Sequence, residues 1–205
     1  MAQGAVHHTV QNVALPCPSV PSITAPFDVT GDTVYDAFLG FDGASSANSQ
    51  KPYIGGYPDG TPPNTAVLAR HNLDSQARVS YGVPVTPFGT MIDGSFLTPA
   101  HTVDGFGGNH SMGYLYQDGN GNYVGDWGLG ALSEGYVGIE LYDAANSITN
   151  FAWLHLIFDP LASPRTLTLV DSGYEDTPGV GIVAGATNTV GAPTIYAAPA
   201  SQTVP

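Results

Sequence analysis

Gly135-Tyr-Val-Gly-Ile-Glu-Leu-Tyr142, the turn Asp143-Ala-Ala-Asn-Ser147 and the apolar run Ile148 to Phe158 follow one another without a break. In the first run Val137, Ile139 and Leu141 fall on one side, and Tyr136, Gly138, Glu140 and Tyr142 on the other. A period of two is that of a strand with one face buried. In the second run Phe151, Trp153, His155 and Ile157 share a side. Arg165-Thr-Leu-Thr-Leu-Val-Asp171 alternates again and groups Leu167 with Leu169. Strands at about ten-residue spacing, separated by turn residues, predict an all-β, antiparallel two-sheet β-sandwich, jelly-roll-like, with few or no helices. Trp153, on a central strand, is expected to anchor the core between the sheets, with sugar stacking as the alternative role.

Outward from this stretch the pattern holds. Asp36-Ala-Phe-Leu-Gly-Phe41 reads as a strand. Gly113 to Gln117 and Asn122 to Trp127 flank Asp118-Gly-Asn-Gly121, a hairpin by its turn chemistry. Gly43 to Pro63 reads as an extended loop or crossover. Pro63 to Leu73 is the one place where a short turn of helix is expected. Gly and Pro (26 and 17 of 205 residues) interrupt almost every other window long enough for a helix. Residues 1–22 read as an extended N-terminal segment, an edge or exchanged strand, because Ala5-Val-His-His-Thr-Val-Gln-Asn-Val13 is strand-like. Residues 23–190 form the single sandwich domain. Residues 191–205 form a Pro/Ala-rich tail, unless Thr194-Ile-Tyr196 adds an edge strand.

Composition narrows the partners. Charged residues are 10% of the chain, against about 25% in ordinary soluble domains. Seventeen acidic groups face four basic ones, for a net charge of −13. Phosphate recognition requires clustered cations, so nucleic acid is excluded as a partner and anionic membrane surfaces are disfavoured. No apolar run is long enough for a transmembrane helix. Scarce Lys with abundant Gly, Thr, Asn and Tyr points to an exported protein, and a removed leader is expected ahead of Met1. Cys17 has no second cysteine to pair with. It reads as a small apolar residue in an extended segment, with an intermolecular bridge as the alternative.

The order Gly135-Tyr-Val-Gly-Ile-Glu-Leu-Tyr142, Phe151-Ala-Trp153, Leu167-Thr-Leu169, Gly173-Tyr-Glu-Asp-Thr-Pro-Gly179 and Ile182-Val-Ala-Gly185 resembles the exported β-sandwich module of bacterial PEP-CTERM proteins. The likeness covers about 55 residues closely. It extends loosely to Asp28-Val-Thr-Gly-Asp-Thr-Val-Tyr-Asp-Ala-Phe-Leu39, which is similar to that family's opening acidic strand. Ala152 and Thr33 stand where the family usually has Gly. Ser201-Gln-Thr-Val-Pro205 is similar to what precedes its sorting segment, so that segment is expected just beyond. The resemblance implies export, a place at the cell surface or in the extracellular matrix, association with exopolysaccharide or like subunits, and no catalytic residues.

Several groups invite chemistry. Asp28, Thr30, Asp32 and Asp36 place oxygens along one loop, as calcium ligands do. Against this, Thr33 and Leu39 occupy places where an EF-type loop has Gly and a bidentate acid, and a solvated turn is the simpler reading. Asp118, Asn120, Asn122 and Asp126 pose the same question within a segment already explained as a hairpin. Gly108-Asn-His-Ser-Met-Gly113 is a displaced nucleophile-elbow pattern without the following helix. The six histidines show no metal-binding pair spacing, so zinc could be held only by convergence in the fold, and His155 reads as a partnered core residue. Glu134, Glu140 and Glu175 are the only glutamates, and a glycosidase needs two carboxyls across a cleft. Eleven tyrosines include Tyr53, Tyr57, Tyr81, Tyr114, Tyr116 and Tyr123 beside Gly, Asn and Asp. Tyr114, Tyr116 and Tyr123 are the expected carbohydrate contacts. The functional expectation is a non-catalytic secreted or surface structural protein of the matrix, self-assembling by strand addition. The alternatives are a carbohydrate-binding module using calcium and, less favoured, a glycan-active hydrolase.

Overall fold

The computed structural model describes residues 4–17, 23–42, 51–56, 64–73, 79–96, 98–100, 112–114, 127, 132–143 and 146–187. Among these the regular structure is entirely β. In chain order the strands are β1 (Val6–Pro16), β2 (Ile23–Phe27), β3 (Ala37–Asp42), β4 (Lys51–Gly56), β5 (Asn64–Leu73), β6 (Val79–Gly82), β7 (Met91–Ile92), β8 (Thr98–Ala100), β9 (Met112–Tyr114), β10 (Ser133–Asp143), β11 (Ile148–Asp159), β12 (Thr166–Glu175) and β13 (Ile182–Val183). Pairing is antiparallel except for one parallel contact of Gly82 with Tyr114. Hydrogen bonds link them in the order β1-β12-β11-β10-β5-β6-β9-β4-β3-β2, with β8 beside β5 and a separate β7–β13 ribbon.

Two expectations need correction here. Pro63 to Leu73 does not open a turn of helix. Asn64–Leu73 is a strand whose first half pairs with β10 and β8 and whose second half pairs with β6. Tertiary pairing thus overrides the local cue of a proline ahead of a capping Asn. Lys51–Gly56, inside the expected loop, is strand β4, paired with β3 and β9.

Both ends of the strand path contribute to one core. Leu39, Phe41 and Ile54 from β3 and β4 meet Val137, Ile139 and Leu141 from β10, Ala152, Leu154, Leu156 and Phe158 from β11, and Leu167 and Leu169 from β12. The expected sidedness of β10 and β12 is therefore observed. Strand β11 is different: it is apolar on both faces. Its Ala152, Leu154, Leu156 and Phe158 side chains enter the main core. Phe151 and Trp153 instead form a second cluster with Ile92, Ile182 and Ala184, under the β7–β13 ribbon. Trp153 is buried as expected, at 1% exposure, but in this second cluster, and the tryptophan of the main core is Trp127. The indole of Trp153 lies across Gly173 of β12, its cross-strand partner, where a Cβ would come within 2.7 Å of the ring.

The N-terminal strand closes one edge. β1 pairs with β12 from Val6 opposite Glu175 to Pro16 opposite Thr166, interrupted by a bulge between Val10 and Val13 where Asn12 takes a positive φ. Its Gln11 amide donates to the Asp28 carbonyl (2.7 Å), so the two terminal strands of the path come together. Cys17 is half-buried against the main core, and burial pushes its thiol up, which agrees with the small apolar role.

Candidate functional site

The acidic loop between β2 and β3 is built by its own carboxylates. Asp28 Oδ1 accepts the Gly31 N–H (2.6 Å), and its Oδ2 accepts the Thr33 N–H (2.7 Å). Asp32 Oδ1 accepts the Val34 N–H at 2.8 Å. Asp36 is fully buried, and its Oδ2 accepts the N–H groups of Val29 (2.7 Å) and Thr30 (3.0 Å). Such side-chain-to-backbone bonds are the usual brace of an Asx-rich turn. Thus Asp28, Thr30, Asp32 and Asp36 do come together on one loop, but Asp28 turns both oxygens and Asp36 its Oδ2 onto backbone amides, while Asp36 Oδ1 is buried without a hydrogen-bond partner. Among the described residues no group of three or more His, Cys, Asp or Glu is arranged to hold a metal ion. Burial pushes the Asp36 carboxyl up to about 6, against the pull of its two amide donors.

Thr33, the departure from the resembled acidic strand, has φ +73°, in the left-handed region where a β-branched residue is strained. Thr33→Gly should retain the amide donated to Asp28 and relieve about 1–2 kcal/mol of backbone strain. Part of that is offset by the greater unfolded-state freedom of Gly, about 0.4–1 kcal/mol. A net gain of up to about 1.6 kcal/mol, read as a higher urea midpoint at unchanged slope, is the expected result.

This loop borders a half-open cleft of about 210 Å³, lined by Thr30, Leu141, Asp143, Asn150, Tyr174 and Asp176. Alternation brings these residues together: Leu141 is the cross-strand partner of Asn150, and Ala152 that of Tyr174. Tyr174 stacks on His7 of β1 (centroids 4.8 Å apart, planes at 15°). Asp176 receives the Ala5 N–H at 2.9 Å and contacts His7 Nε2 at 3.0 Å. The bond from His7, and then the Ala5 amide, hold its carboxyl below the usual range. The Tyr174 phenol is pushed up by burial and then by the charges of Asp176, Asp32, Asp36 and Asp28. Asp143 and Asp176 thus place two carboxylates on the cleft wall, with further acidic groups of the β2–β3 loop near Tyr174.

On the Trp153 side of the sheet a second polar assembly crosses four strands. His8 Nε2 lies 2.9 Å from Asp171 Oδ2, Asp171 Oδ1 lies 3.0 Å from His155 Nδ1, and His155 Nε2 lies 3.1 Å from Glu134 Oε1. The His155 ring stacks on Tyr136 (4.8 Å, 17°), and Tyr136 meets Trp153 edge-on (5.4 Å, 82°). His155 is thus the partnered residue expected, with carboxylates at both ring nitrogens. Comparison with protein families, with curated proteins and with solved structures finds no match to this chain.

Of the expected carbohydrate contacts Tyr114, Tyr116 and Tyr123, only the backbone of Tyr114 falls within the described residues. Tyr114 is placed by its backbone in β9, opposite Tyr53, while Tyr116, Tyr123 and Tyr57 lie outside them. Tyr53 is buried and meets Phe38 edge-on at 5.9 Å, so it packs rather than faces solvent. The hairpin turn 118–121, the second acidic segment 118–126, residues 108–111 of the elbow pattern and the tail 191–205 also lie outside the described residues. Sequence reading missed the cleft because its residues come from strand ends far apart in the chain. The available signal was parity, since Leu141 lies on the core face of its strand.

Proposed function

We propose that this chain is a non-catalytic, exported structural protein of the bacterial surface or matrix, associated with exopolysaccharide, and that its strands form a two-layer, jelly-roll-like β-sandwich. The layering is supported by a core drawn from both β2–β4 and β10–β12. It is also supported by β5, whose two halves pair with different neighbours. The family reading rests on the sequence resemblance to the PEP-CTERM module, which includes the Tyr-Glu-Asp-Thr-Pro-Gly stretch, a braced turn in this chain. There Glu175 Oε1 accepts the Thr177 N–H at 3.0 Å, and Gly179, at φ +72°, donates to the Thr149 carbonyl at 2.7 Å.

The observation that carries the functional reading is the use made of the polar groups. Both His155 nitrogens are occupied by carboxylates, and Asp28, Asp36 and Glu175 brace backbone amides. A general base needs a lone pair open to substrate. These groups act instead as ties between strands and within loops. A carbohydrate-binding module is the second reading, favoured by the cleft beside Tyr174. Neither reading requires calcium. Among the described residues no helix is long and apolar enough to cross a membrane.

Assembly with like subunits through β1 has to break its pairing with β12 and the contacts of His7 with Asp176 and His8 with Asp171. Intact protein mixed with insoluble bacterial exopolysaccharide is therefore expected to co-sediment, to release no reducing ends, and to keep one size over a wide concentration range. Loss of co-sedimentation would remove the matrix reading, and release of reducing ends the non-catalytic one. Growth in size with concentration would assign β1 to strand exchange.

A further inference from the structure

We infer that the cleft beside Tyr174 is a subsite for one uncharged hexopyranose unit of a polysaccharide. This deepens the proposed matrix association and rests on it only for the source of the sugar. Size comes first. Sites for drug-sized ligands run to about 300–1,000 Å³. At about 210 Å³ the cleft suits a single ring, and its open side lets a glycan chain run on into solvent.

The chemistry of the lining is that of a pyranose, which has an apolar C–H face and an equatorial belt of hydroxyls. Leu141 and the Tyr174 ring supply apolar surface. Thr30, Asn150, Asp143 and Asp176 supply hydroxyl, amide and carboxylate groups around it. Every polar part is held in place before any ligand arrives. Thr30 Oγ1 donates to Asp28 Oδ1 (3.3 Å), Asn150 Nδ2 to the Glu175 carbonyl (2.8 Å), and the Asn146 N–H and Nδ2 to the Asp143 carboxylate (3.3 and 2.7 Å). This leaves further lone pairs and the second Asn150 amide hydrogen for a sugar. The stacked His7 ring fixes Tyr174, and the Ala5 amide and His7 fix the Asp176 carboxylate. Pre-organised groups lose less freedom on binding. Among the described residues no Lys or Arg lines the cleft, and the charges of Asp176, Asp32, Asp36 and Asp28 all act on the Tyr174 phenol. Uronate, sulfated or phosphorylated sugars are repelled by such a field.

The test is calorimetric titration of the intact chain with tetrasaccharides of glucose, mannose and galactose, of galacturonic acid, and of glucosamine. At least one neutral tetrasaccharide is expected to bind, and the galacturonate is not. Asp143→Asn and Thr30→Val are each expected to weaken that binding about tenfold, the loss of one hydrogen bond to sugar. Two variants are used so that a folding defect in one leaves the other readable. Absence of binding by all three neutral sugars at millimolar concentration overturns the inference, as does binding that neither variant weakens. Tighter binding of galacturonate or glucosamine overturns the uncharged class, the latter by assigning the cleft to an ammonium group. Exopolysaccharide co-sedimentation that persists while the titrations fail removes the subsite and leaves the matrix reading standing.

Discussion

Trp153→Ala is expected to remove about 3–5 kcal/mol of stability, the range for truncating a large buried aromatic. That is a large share of the roughly 5–15 kcal/mol that holds a typical domain together. The reason is local. The indole is 1% exposed and fills the space over Gly173, and it meets Tyr136 edge-on and His8 at 5.8 Å. It also carries the second cluster on which the β7–β13 ribbon rests. Each strand of that ribbon is two residues long, far below the length at which a hairpin is stable by itself. Trp153→Phe should cost less than half as much. Phenylalanine keeps most of the apolar area, and it removes an indole N–H that is buried without a hydrogen-bond partner. Such an orphan donor costs about 1–3 kcal/mol. Urea unfolding of the three proteins, followed by far-UV circular dichroism, gives the comparison. Equal losses for Ala and Phe would show that the cluster depends on the indole nitrogen rather than on ring volume.

The misplaced tryptophan shows where sequence reading runs out. Val137, Ile139, Leu141, Leu167 and Leu169 were legible because each belongs to a strand with one greasy and one wetter face. Strand β11 is buried on both faces, with Ala152, Leu154 and Leu156 in one cluster and Phe151 and Trp153 in the other. Alternation says which residues share a side, not which side meets which layer. The layer over Trp153 is made by Met91–Ile92 and Ile182–Val183, too short to give any periodic signal. The polar chain through His155 was half legible. Its need for a partner could be read, but Asp171 depends on register, and that register shifts between His155 and Leu156. The acidic loop was legible as a set of oxygens. Their destination was not, because whether a carboxylate faces a cation or its own amides is decided by a few backbone angles, such as the positive φ at Thr33. The cleft required the ends of β10, β11 and β12 to be aligned with a loop more than a hundred residues away in sequence.

Asp36 should make the fold more stable as the pH is lowered from neutrality, the reverse of the usual carboxylate. Its folded value, about 6, lies above the ordinary 3.8, because burial disfavours the charged form more than the Val29 and Thr30 amides favour it. Between those values the folded chain binds the proton and the unfolded chain does not. The stabilisation is therefore fully present below the unfolded value and lost as pH rises through the folded one. At about 1.4 kcal/mol per unit, the full span is about 3 kcal/mol, of which about 2 kcal/mol falls between about pH 4.5 and 7.5. Asp93 and Asp176 have lowered values and act in the opposite sense, but mainly at and below the ordinary carboxylate range. Contributions common to wild type and variant cancel in the comparison with Asp36→Asn, so the difference isolates the effect. Wild type is expected to gain about 2 kcal/mol on the variant when moved from about pH 7.5 to 4.5. Asp36→Ala is a separate control. It leaves the Val29 and Thr30 N–H groups without their acceptor, so it should be destabilising at both pH values by about 1–3 kcal/mol per orphaned group. Denaturant titrations of wild type and Asp36→Asn at the two pH values decide the matter. Parallel pH dependence would mean that Asp36 stays ionised in the fold, and that its buried second oxygen finds a partner in water.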